Sequence, residues 1–236
     1  MLDFDGTLAP LTARRGEARP RRGSLAHLRA IARRGDTRIA IVSGRRLTDL
    51  ERLLDLDSVT LVAEHGWEER PPGGRRVRHR LRAGTRTELL RAERAARARG
   101  WGPYLERKRS ALVLHTRRLP EHTAADLEAE AAAAWSTATA GGTLALEPIH
   151  GGLELRAVGR NKGTAARALI ASAPADALAV FVGDDLADED AFEAVRPRGF
   201  GLLVAARARP TAAQARLAGP AAVSGFLARW RRATRG

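Results

Sequence analysis

The chain of 236 residues carries 41 lysines and arginines against 27 aspartates and glutamates, so its formal net charge is +14. Cysteine is absent, which excludes disulfides and cysteine-based metal or nucleophilic sites. The sequence has neither a basic then apolar leader nor an apolar run of about 18 residues, so we expect a cytoplasmic protein with no membrane partner.

The outer parts of the chain contain near-continuous apolar runs that alternate with helical patterns. Runs rich in β-branched residues are typical of buried parallel strands, and they occur at 39–42, 59–63, 178–182 and 202–204. Helical spacing follows Ser24, which we expect to cap a helix, and recurs at 47–54 and 165–170. This alternation predicts an α/β fold with a doubly wound parallel sheet.

The middle of the chain has shorter and more polar strand patterns, at 77–81, 104–108, 112–116 and 144–147. Two helical patterns, at 88–99 and 121–137, separate these strands. Strands adjacent in sequence favour an antiparallel sheet backed by two helices. With glycine-rich hinges near 73 and 151, the expected domains are a core in two parts, 1–72 and 152–236, and an inserted α/β cap, 73–151.

Polar clusters follow the predicted parallel strands: Asp3, Asp5 and Thr7; Ser43, Gly44 and Arg45; Glu64, His65 and Gly66; Asp184 and Asp185. Ligands bind beyond the carboxyl ends of such strands, so these clusters are expected to meet. Aspartate oxygens suit Mg²⁺, which prefers hard oxygen ligands and a substrate phosphate. Ser43, Thr7 and Lys162 offer donors for the remaining phosphate oxygens.

Two aspartates at this spacing can perform phosphoryl transfer. A carboxylate can attack phosphorus when a metal ion neutralises the repulsion between the two anions. A second carboxylate, two residues further on, can protonate the leaving oxygen and later deprotonate water. The pair Asp3 and Asp5 is therefore a candidate nucleophile and acid/base.

Four stretches resemble, in order, the motifs of the haloacid dehalogenase superfamily of phosphatases: "DFDGTL", "IVSGR", Lys162-Gly163 and "FVGDDLADEDAF". The resemblance implies a Rossmann-like core with a cap inserted between the second and third motifs. It implies that Asp3 is the nucleophile and Asp5 the acid/base, while Ser43 and Lys162 hold the phosphoryl group. The implied Mg²⁺ ligands are Asp3, the backbone carbonyl of Asp5 and Asp184, with Asp185 and Asp188 supporting the site.

Charged residues alternate on two neighbouring strands of the predicted cap, Glu106 with Lys108 and His115 with Arg117. Such spacing puts each pair on one strand face, which suits either sugar hydroxyls or an exposed, salt-bridged surface. The E-x-K and H-x-R patterns, with "EHG" at 64–66 and "GLELR" at 152–156, resemble the trehalose-6-phosphate phosphatases. That resemblance implies a substrate-binding set of Arg45, Glu64, His65, Gly66, Glu106, Lys108, His115, Arg117 and Glu154.

Lysine usage agrees with this resemblance, because the chain's two lysines, Lys108 and Lys162, fall on substrate and phosphate positions. Two departures are minor: Thr116 stands where the family commonly has tyrosine, and Ala187 where it commonly has threonine. Neither departure removes a charged group.

The resemblance implies a Mg²⁺-dependent phosphatase that acts on trehalose 6-phosphate through an aspartyl-phosphate, with cap closure about the hinges. The alternative is a related enzyme for sucrose-phosphate, mannosyl-3-phosphoglycerate or another hexose phosphate. A non-catalytic sensor is disfavoured because both catalytic aspartates are present. We expect a small sugar phosphate as partner and no nucleic acid, since aromatic residues are only 4%. The sequence is compatible with a monomer.

The candidate nucleophile lies very near the beginning of the sequence. Only Met1 and Leu2 precede Asp3, whereas a central parallel strand usually has about five residues. We therefore expect either a start further upstream or a short, frayed strand that holds Asp3 poorly.

Overall fold

The computed structural model describes residues 1–12 and 15–234. Its strands are β1 (Ala40–Val42), β2 (Thr60–Ala63), β3 (Glu68–Arg70), β4 (Val77–Arg78), β5 (Leu105–Arg107), β6 (Ala111–His115), β7 (Leu144–Ile149), β8 (Gly152–Ala157), β9 (Ala179–Gly183), β10 (Gly199–Val204) and β11 (Ala215–Leu217). Its α-helices are α1 (Arg22–Ala32), α2 (Leu47–Leu54), α3 (Thr85–Ala98), α4 (Glu121–Ala140), α5 (Lys162–Ala171), α6 (Glu189–Val195) and α7 (Pro220–Ala233). None of the helices in this described part is long and apolar enough to cross a membrane.

The chain forms two compact units, which we call the core unit (Met1–Arg78 with Arg160–Gly236) and the insert unit (His79–Gly159). In the core unit, one half of the sheet has the order β1-β2-β3-β4 and the other the order β11-β10-β9. Leu2 pairs in parallel with Ile41 of β1 and with Val182 of β9, and thereby joins the halves. Among the described strands of this sheet, the β2–β3 and β3–β4 pairs are antiparallel and the other strand pairs are parallel.

Helices cover both faces of the core sheet because its strands are apolar on both sides. One layer buries residues of α1, α2 and α7 with Ile41, Val182 and Val204. The other layer buries residues of α5 and α6 with Val42 and Phe181. The predicted parallel strands correspond to β1, β2, β9 and β10, so the α/β fold class with a doubly wound sheet is confirmed.

Two helix starts differ from the sequence interpretation. The expected cap at Ser24 is wrong, because α1 begins at Arg22 without a side-chain cap and Ser24 is buried within the helix. The start of α5 instead has a capping box that was not predicted. The Asn161 side chain accepts a hydrogen bond from the Thr164 amide, and the Thr164 hydroxyl accepts one from the Asn161 amide. This cap fixes Lys162 as the first residue of the helix.

The insert unit is an antiparallel sheet of order β5-β6-β8-β7 with two helices against one face. Leucines of the sheet, among them Leu112 and Leu155, are buried with Leu89 of α3 and Trp135 of α4. The predicted cap strand at 77–81 is wrong: β4 has two exposed residues and pairs with β3 in the core unit.

Strand β8, and not the segment at 77–81, is the fourth strand of the insert sheet, where it pairs with both β6 and β7. The sequence interpretation assigned residues 152–157 to the core. The insert unit therefore runs from His79 to Gly159, later than the hinges expected near 73 and 151.

Candidate active site

The polar clusters meet at the carboxyl ends of the core strands. Asp3 follows the paired Leu2, Ser43 follows β1, Asp184 follows β9, and Lys162 opens α5. Carboxylate oxygens of Asp3, Asp184 and Asp188 all lie within 4.8 Å of one another. The topology thus gathers three acids from two distant parts of the chain.

The backbone at Asp3 is held on both sides. The Asp3 amide donates to the Val182 carbonyl at 2.8 Å, and the Leu2 carbonyl accepts from the Val42 amide at 2.9 Å. Asp3 is buried. The expectation that Asp3 is poorly held is therefore wrong, because pairing to strands on both sides compensates for the short segment.

Lys162 is a buried cation between two of the acids. Its Nζ lies 2.9 Å from an oxygen of Asp3 and 2.6 Å from an oxygen of Asp188. Burial by itself would lower the pKa of Lys162, but the charges of Asp188 and Asp3 outweigh it and raise that pKa above its usual value. Lys162 is consequently a fixed positive charge beside the candidate nucleophile.

Asp188 stabilises the loop at residues 184–188, which we call the acidic loop, through hydrogen bonds to its backbone. Its Oδ2 accepts the amides of Asp184 and Asp185, each at 2.9 Å, while its Oδ1 bonds Lys162. Asp185 caps its own turn by accepting the Leu186 amide at 2.7 Å. Both residues therefore shape the loop and leave the Asp184 carboxylate facing Asp3.

Two residues of the first motif orient Asp184. The Thr7 hydroxyl donates to an oxygen of Asp184 at 3.1 Å, so in this structure it contacts the acid cluster. Gly6 has a φ of +72°, and a Cβ there would stand 1.9 Å from Asp184 Oδ2. Glycine is thus required both by the backbone conformation and by the close approach of the carboxylate.

The acid cluster carries more negative charge than its lysine offsets. Burial raises the pKa of Asp3 to about 7, with Lys162 opposing the shift and Asp188 adding to it. Burial, followed by the charges of Asp3 and Asp188, raises the pKa of Asp184 to about 8. Crowded carboxylates with an all-oxygen donor set fit a hard divalent cation such as Mg²⁺.

Arg45 forms a bidentate ion pair with Asp5. Its Nε donates to Asp5 Oδ2 at 2.7 Å and its Nη2 to Oδ1 at 2.6 Å. The guanidinium is 3% exposed and stacks over Phe4, 4.8 Å from the ring centroid. A residue that the family resemblance assigned to the substrate here orients the candidate acid/base.

The segment at 64–66 has three successive residues with positive φ, 46° at Glu64, 57° at His65 and 103° at Gly66. The Glu64 amide donates to the Arg45 carbonyl at 2.9 Å and the His65 amide to the Ser43 carbonyl at 3.1 Å. Non-glycine residues in this region cost about 1–3 kcal/mol each, so surrounding structure must maintain them. The segment fixes the loop that carries Ser43.

The insert sheet has one apolar and one charged face. On the charged face, His115 pairs with Glu106 at 2.9 Å, and Lys108 pairs with Glu154 at 2.7 Å, both of the latter side chains being 2% exposed. Arg117 instead donates to the His150 carbonyl at 2.6 Å. Four of the predicted sugar-binding residues therefore share one face.

This face also includes an ion pair between Arg156 and Glu147 that was not expected from the sequence. Glu147 is the cross-strand neighbour of Glu154, and Arg156 bonds Glu147 at 2.7 Å. Thr116 bonds Glu128 of α4, which agrees with its expected position on the strand face opposite His115.

The fold of the chain is that of haloacid dehalogenase-like hydrolases. Within that class, a model of the trehalose-phosphatase family matches residues 1–221. The chain therefore belongs to the trehalose-phosphatase family.

Two curated relatives are similar to nearly the whole of this chain. The chain is 33% identical over 242 residues to an uncharacterized glycosyl hydrolase of Mycobacterium tuberculosis, covering 96% of this chain and 18% of that protein. It is 32% identical over 238 residues to a trehalose-phosphate phosphatase of Mycobacterium marinum, covering 96% of this chain and 60% of that protein. The chain thus spans less than two thirds of the length of these relatives.

A solved structure supports the fold assignment. The C-terminal domain of trehalose-6-phosphate phosphatase from C. albicans matches with a TM-score of 0.83 at 21% identity. The match covers 98% of this chain and 90% of that one.

Proposed function

We propose that this protein hydrolyses trehalose 6-phosphate to trehalose and inorganic phosphate. The observation that carries the proposal is the position of Lys162 Nζ, 2.9 Å from Asp3 and inside the cluster of Asp3, Asp184 and Asp188. A buried ammonium beside a carboxylate suits a phosphate dianion and its nucleophile. Membership of the trehalose-phosphatase family supports the substrate.

In the first step an oxygen of Asp3 forms a bond to phosphorus while the bond from phosphorus to the sugar oxygen breaks. Asp5 gives a proton to that leaving oxygen, so trehalose departs as a neutral alcohol. Lys162 and Ser43 hold the other phosphoryl oxygens. The product of this step is an aspartyl-phosphate on Asp3.

In the second step water attacks the phosphorus of this aspartyl-phosphate. Asp5 accepts a proton from the water, the bond between phosphorus and Asp3 breaks, and inorganic phosphate is released. The two steps return both aspartates to their starting forms. Arg45 orders Asp5 at the site: both Asp5 oxygens accept from the guanidinium when the carboxylate is ionised, and one oxygen accepts while the other carries the transferable proton.

Asp3, Asp184 and the backbone carbonyl of Asp5 would hold Mg²⁺. When bound, the ion supplies positive charge that offsets the repulsion between the Asp3 carboxylate and the phosphate. Asp188 is already bonded to Lys162 and to two loop amides, so we assign it a supporting role with Asp185.

The sugar would be recognised by the charged face of the insert sheet. Glu106, Lys108, His115 and Glu154 provide carboxylate acceptors and cationic donors for sugar hydroxyls. The name of the M. marinum relative favours trehalose over another sugar. Contact of the substrate with Arg45, Glu64, His65, Gly66 and Arg117 stays a prediction.

Phosphate release from a panel of sugar phosphates, with and without Mg²⁺, tests the proposal. Trehalose 6-phosphate should be turned over fastest, and the substitution Asp3→Asn should abolish turnover while the far-UV circular dichroism spectrum is unchanged. Turnover no faster than that of glucose 6-phosphate would refute the substrate. Preference for sucrose-phosphate or mannosyl-3-phosphoglycerate would instead support the related sugar-phosphate phosphatases.

A further inference from the structure

Arg209 reaches the backbone of the acidic loop from outside the cluster. Its Nη2 donates to the carbonyl of Asp185 at 3.1 Å and to that of Asp184 at 3.4 Å. Arg209 lies in the segment between β10 and β11, and its side chain is 26% exposed. It therefore connects the end of one core strand with the loop that follows another.

Glu189 anchors Arg209 and the segment around it. One Glu189 oxygen accepts from Arg209 Nη1 at 2.5 Å. The other accepts from the Thr211 hydroxyl at 3.0 Å and from the Ala212 amide at 2.7 Å. Because Glu189 is the first residue of α6, the guanidinium is fixed to a helix that begins directly after the acidic loop.

Asp184 is thus held at three points. Its carboxylate is oriented by Thr7, its amide is bound by Asp188, and its carbonyl faces Arg209. The first two contacts come from residues within or next to the family motifs. The third contact comes from an arginine about 25 residues further along the chain, and it also brings a positive charge toward an acid-rich loop.

We propose that Arg209 is a positioning residue for the divalent cation: it fixes the Asp184–Asp185 backbone so that the Asp184 carboxylate is preset for the metal. The inference rests on the proposed function in one respect: both require a divalent cation at Asp184. It concerns a residue that neither motif nor substrate assignment includes. Loss of an outer contact of this kind typically lowers metal affinity about 10–100-fold.

Direct titration of the full chain with Mg²⁺ by calorimetry, without substrate, tests the inference. The substitution Arg209→Gln should raise the dissociation constant for Mg²⁺ about tenfold or more. Arg207→Gln is the matched control, because Arg207 is exposed two residues away and the change in charge is the same. The control should stay within about twofold of the parent protein.

A second variant, with a smaller change at the same position, separates loss of the contact from misfolding. Arg209→Lys keeps the charge but cannot donate from a planar fork to Glu189 and the two carbonyls together, so its affinity should lie between the other two. Equal dissociation constants for Arg209→Gln and Arg207→Gln would overturn the inference, as would absence of Mg²⁺ binding by the parent protein. Failure of the trehalose 6-phosphate assay alone would affect only the proposed substrate, since binding is measured without it.

Discussion

Arg45 binds both oxygens of Asp5, at 2.7 and 2.6 Å, and is itself buried against Phe4. Lysine cannot reproduce two parallel bonds, so Arg45→Lys should misplace the acid/base. We expect kcat for trehalose 6-phosphate to fall about 10–100-fold, less than the roughly 100–10,000-fold that a general acid/base contributes, because Asp5 itself is retained. Hydrolysis of p-nitrophenyl phosphate should fall less, because its leaving group needs little protonation.

Steady-state kinetics on both substrates, with the exposed Arg52→Lys as control, check this expectation. Equal losses on the two substrates would contradict a role for Arg45 in the protonation of the leaving oxygen by Asp5.

Asp188 binds two loop amides and shares Lys162 with Asp3, so its removal leaves three donors short of an acceptor. At about 1–3 kcal/mol for each unsatisfied donor, the total cost is about 3–5 kcal/mol of unfolding free energy. We expect a loss of this size for Asp188→Ala and a smaller one for Asp188→Asn, which keeps an acceptor oxygen. Urea unfolding measures both, and the exposed Asp176→Ala is the control. A loss below about 1 kcal/mol for Asp188→Ala would rule out this role.

Gly6 and Gly35 provide a matched pair for the close approach of Asp184. Both have positive φ, 72° and 83°, but a Cβ at Gly35 would meet nothing within 4 Å. Alanine at either position should cost about 1–2 kcal/mol of unfolding free energy for the backbone. Only Gly6→Ala should also weaken Mg²⁺ binding in a calorimetric titration, and equal Mg²⁺ affinity in the two variants would show that Asp184 tolerates the added methyl group.

The raised pKa values predict how the stability of the metal-free protein depends on pH. Asp3 and Asp184 have folded-state pKa values of about 7 and about 8, against an ordinary value of 3.8. Between about pH 4 and pH 8, these two carboxyl groups are ionised in the unfolded chain but keep their protons in the folded protein. The free energy of unfolding therefore falls as the pH rises through this range. Melting temperatures in EDTA across this range should show the decline.

Two comparisons test the origin of that decline. Asp184→Asn should reduce it, because the amide does not titrate, and Mg²⁺ should reduce it by stabilising the ionised carboxylates. A melting temperature that rises steadily from pH 4 to 8 in EDTA would mean that these two acids do not dominate.

The pair Lys108 and Glu154 can separate a sugar-binding face from an ordinary salt-bridged one. Both side chains are 2% exposed and 2.7 Å apart, so Lys108→Met alone leaves a buried charge and should destabilise the protein by about 3–5 kcal/mol. The double variant Lys108→Met with Glu154→Leu should regain much of that stability. If this face binds the sugar, the double variant should lose trehalose 6-phosphate turnover even though its stability is regained. Full turnover would favour a structural role.

The parallel strands and their polar ends could be predicted because both depend on local sequence. Buried strands such as β2 and β9 are continuous apolar runs, and in an α/β sheet the residues after them share one edge. Asp3, Ser43 and Asp184 could therefore be assigned to one site before any contact was known. The strands of the insert sheet were harder to predict, because Val77 and Leu153 both lie in short patterns of mixed polarity. Which of these segments joins the insert sheet depends on pairing with strands distant in sequence.

The partners of individual side chains could not be predicted. Nothing local distinguishes Arg209 from the many other arginines, because its role depends on how the β10–β11 segment packs against α6. The same holds for Arg45, whose position after Ser43 was evident but whose partner, Asp5, depends on the approach of two strands. The cap at Asn161 is different, because its side chain and Thr164 form a recognisable local pattern.

The position of Leu2 has a consequence for how the protein folds. Its bridges to Ile41 and Val182 bring together residues far apart in the chain, and such contacts form late because closing a long loop costs entropy. Helices α1 and α7, one from each end of the core unit, pack in the same layer, so this layer is completed only with this closure. Asp3 reaches Asp184 only when the closure is complete, so a chain emerging from the ribosome gains its acid cluster after β9 has been synthesised. Recovery of Mg²⁺ binding during refolding would then report this closure.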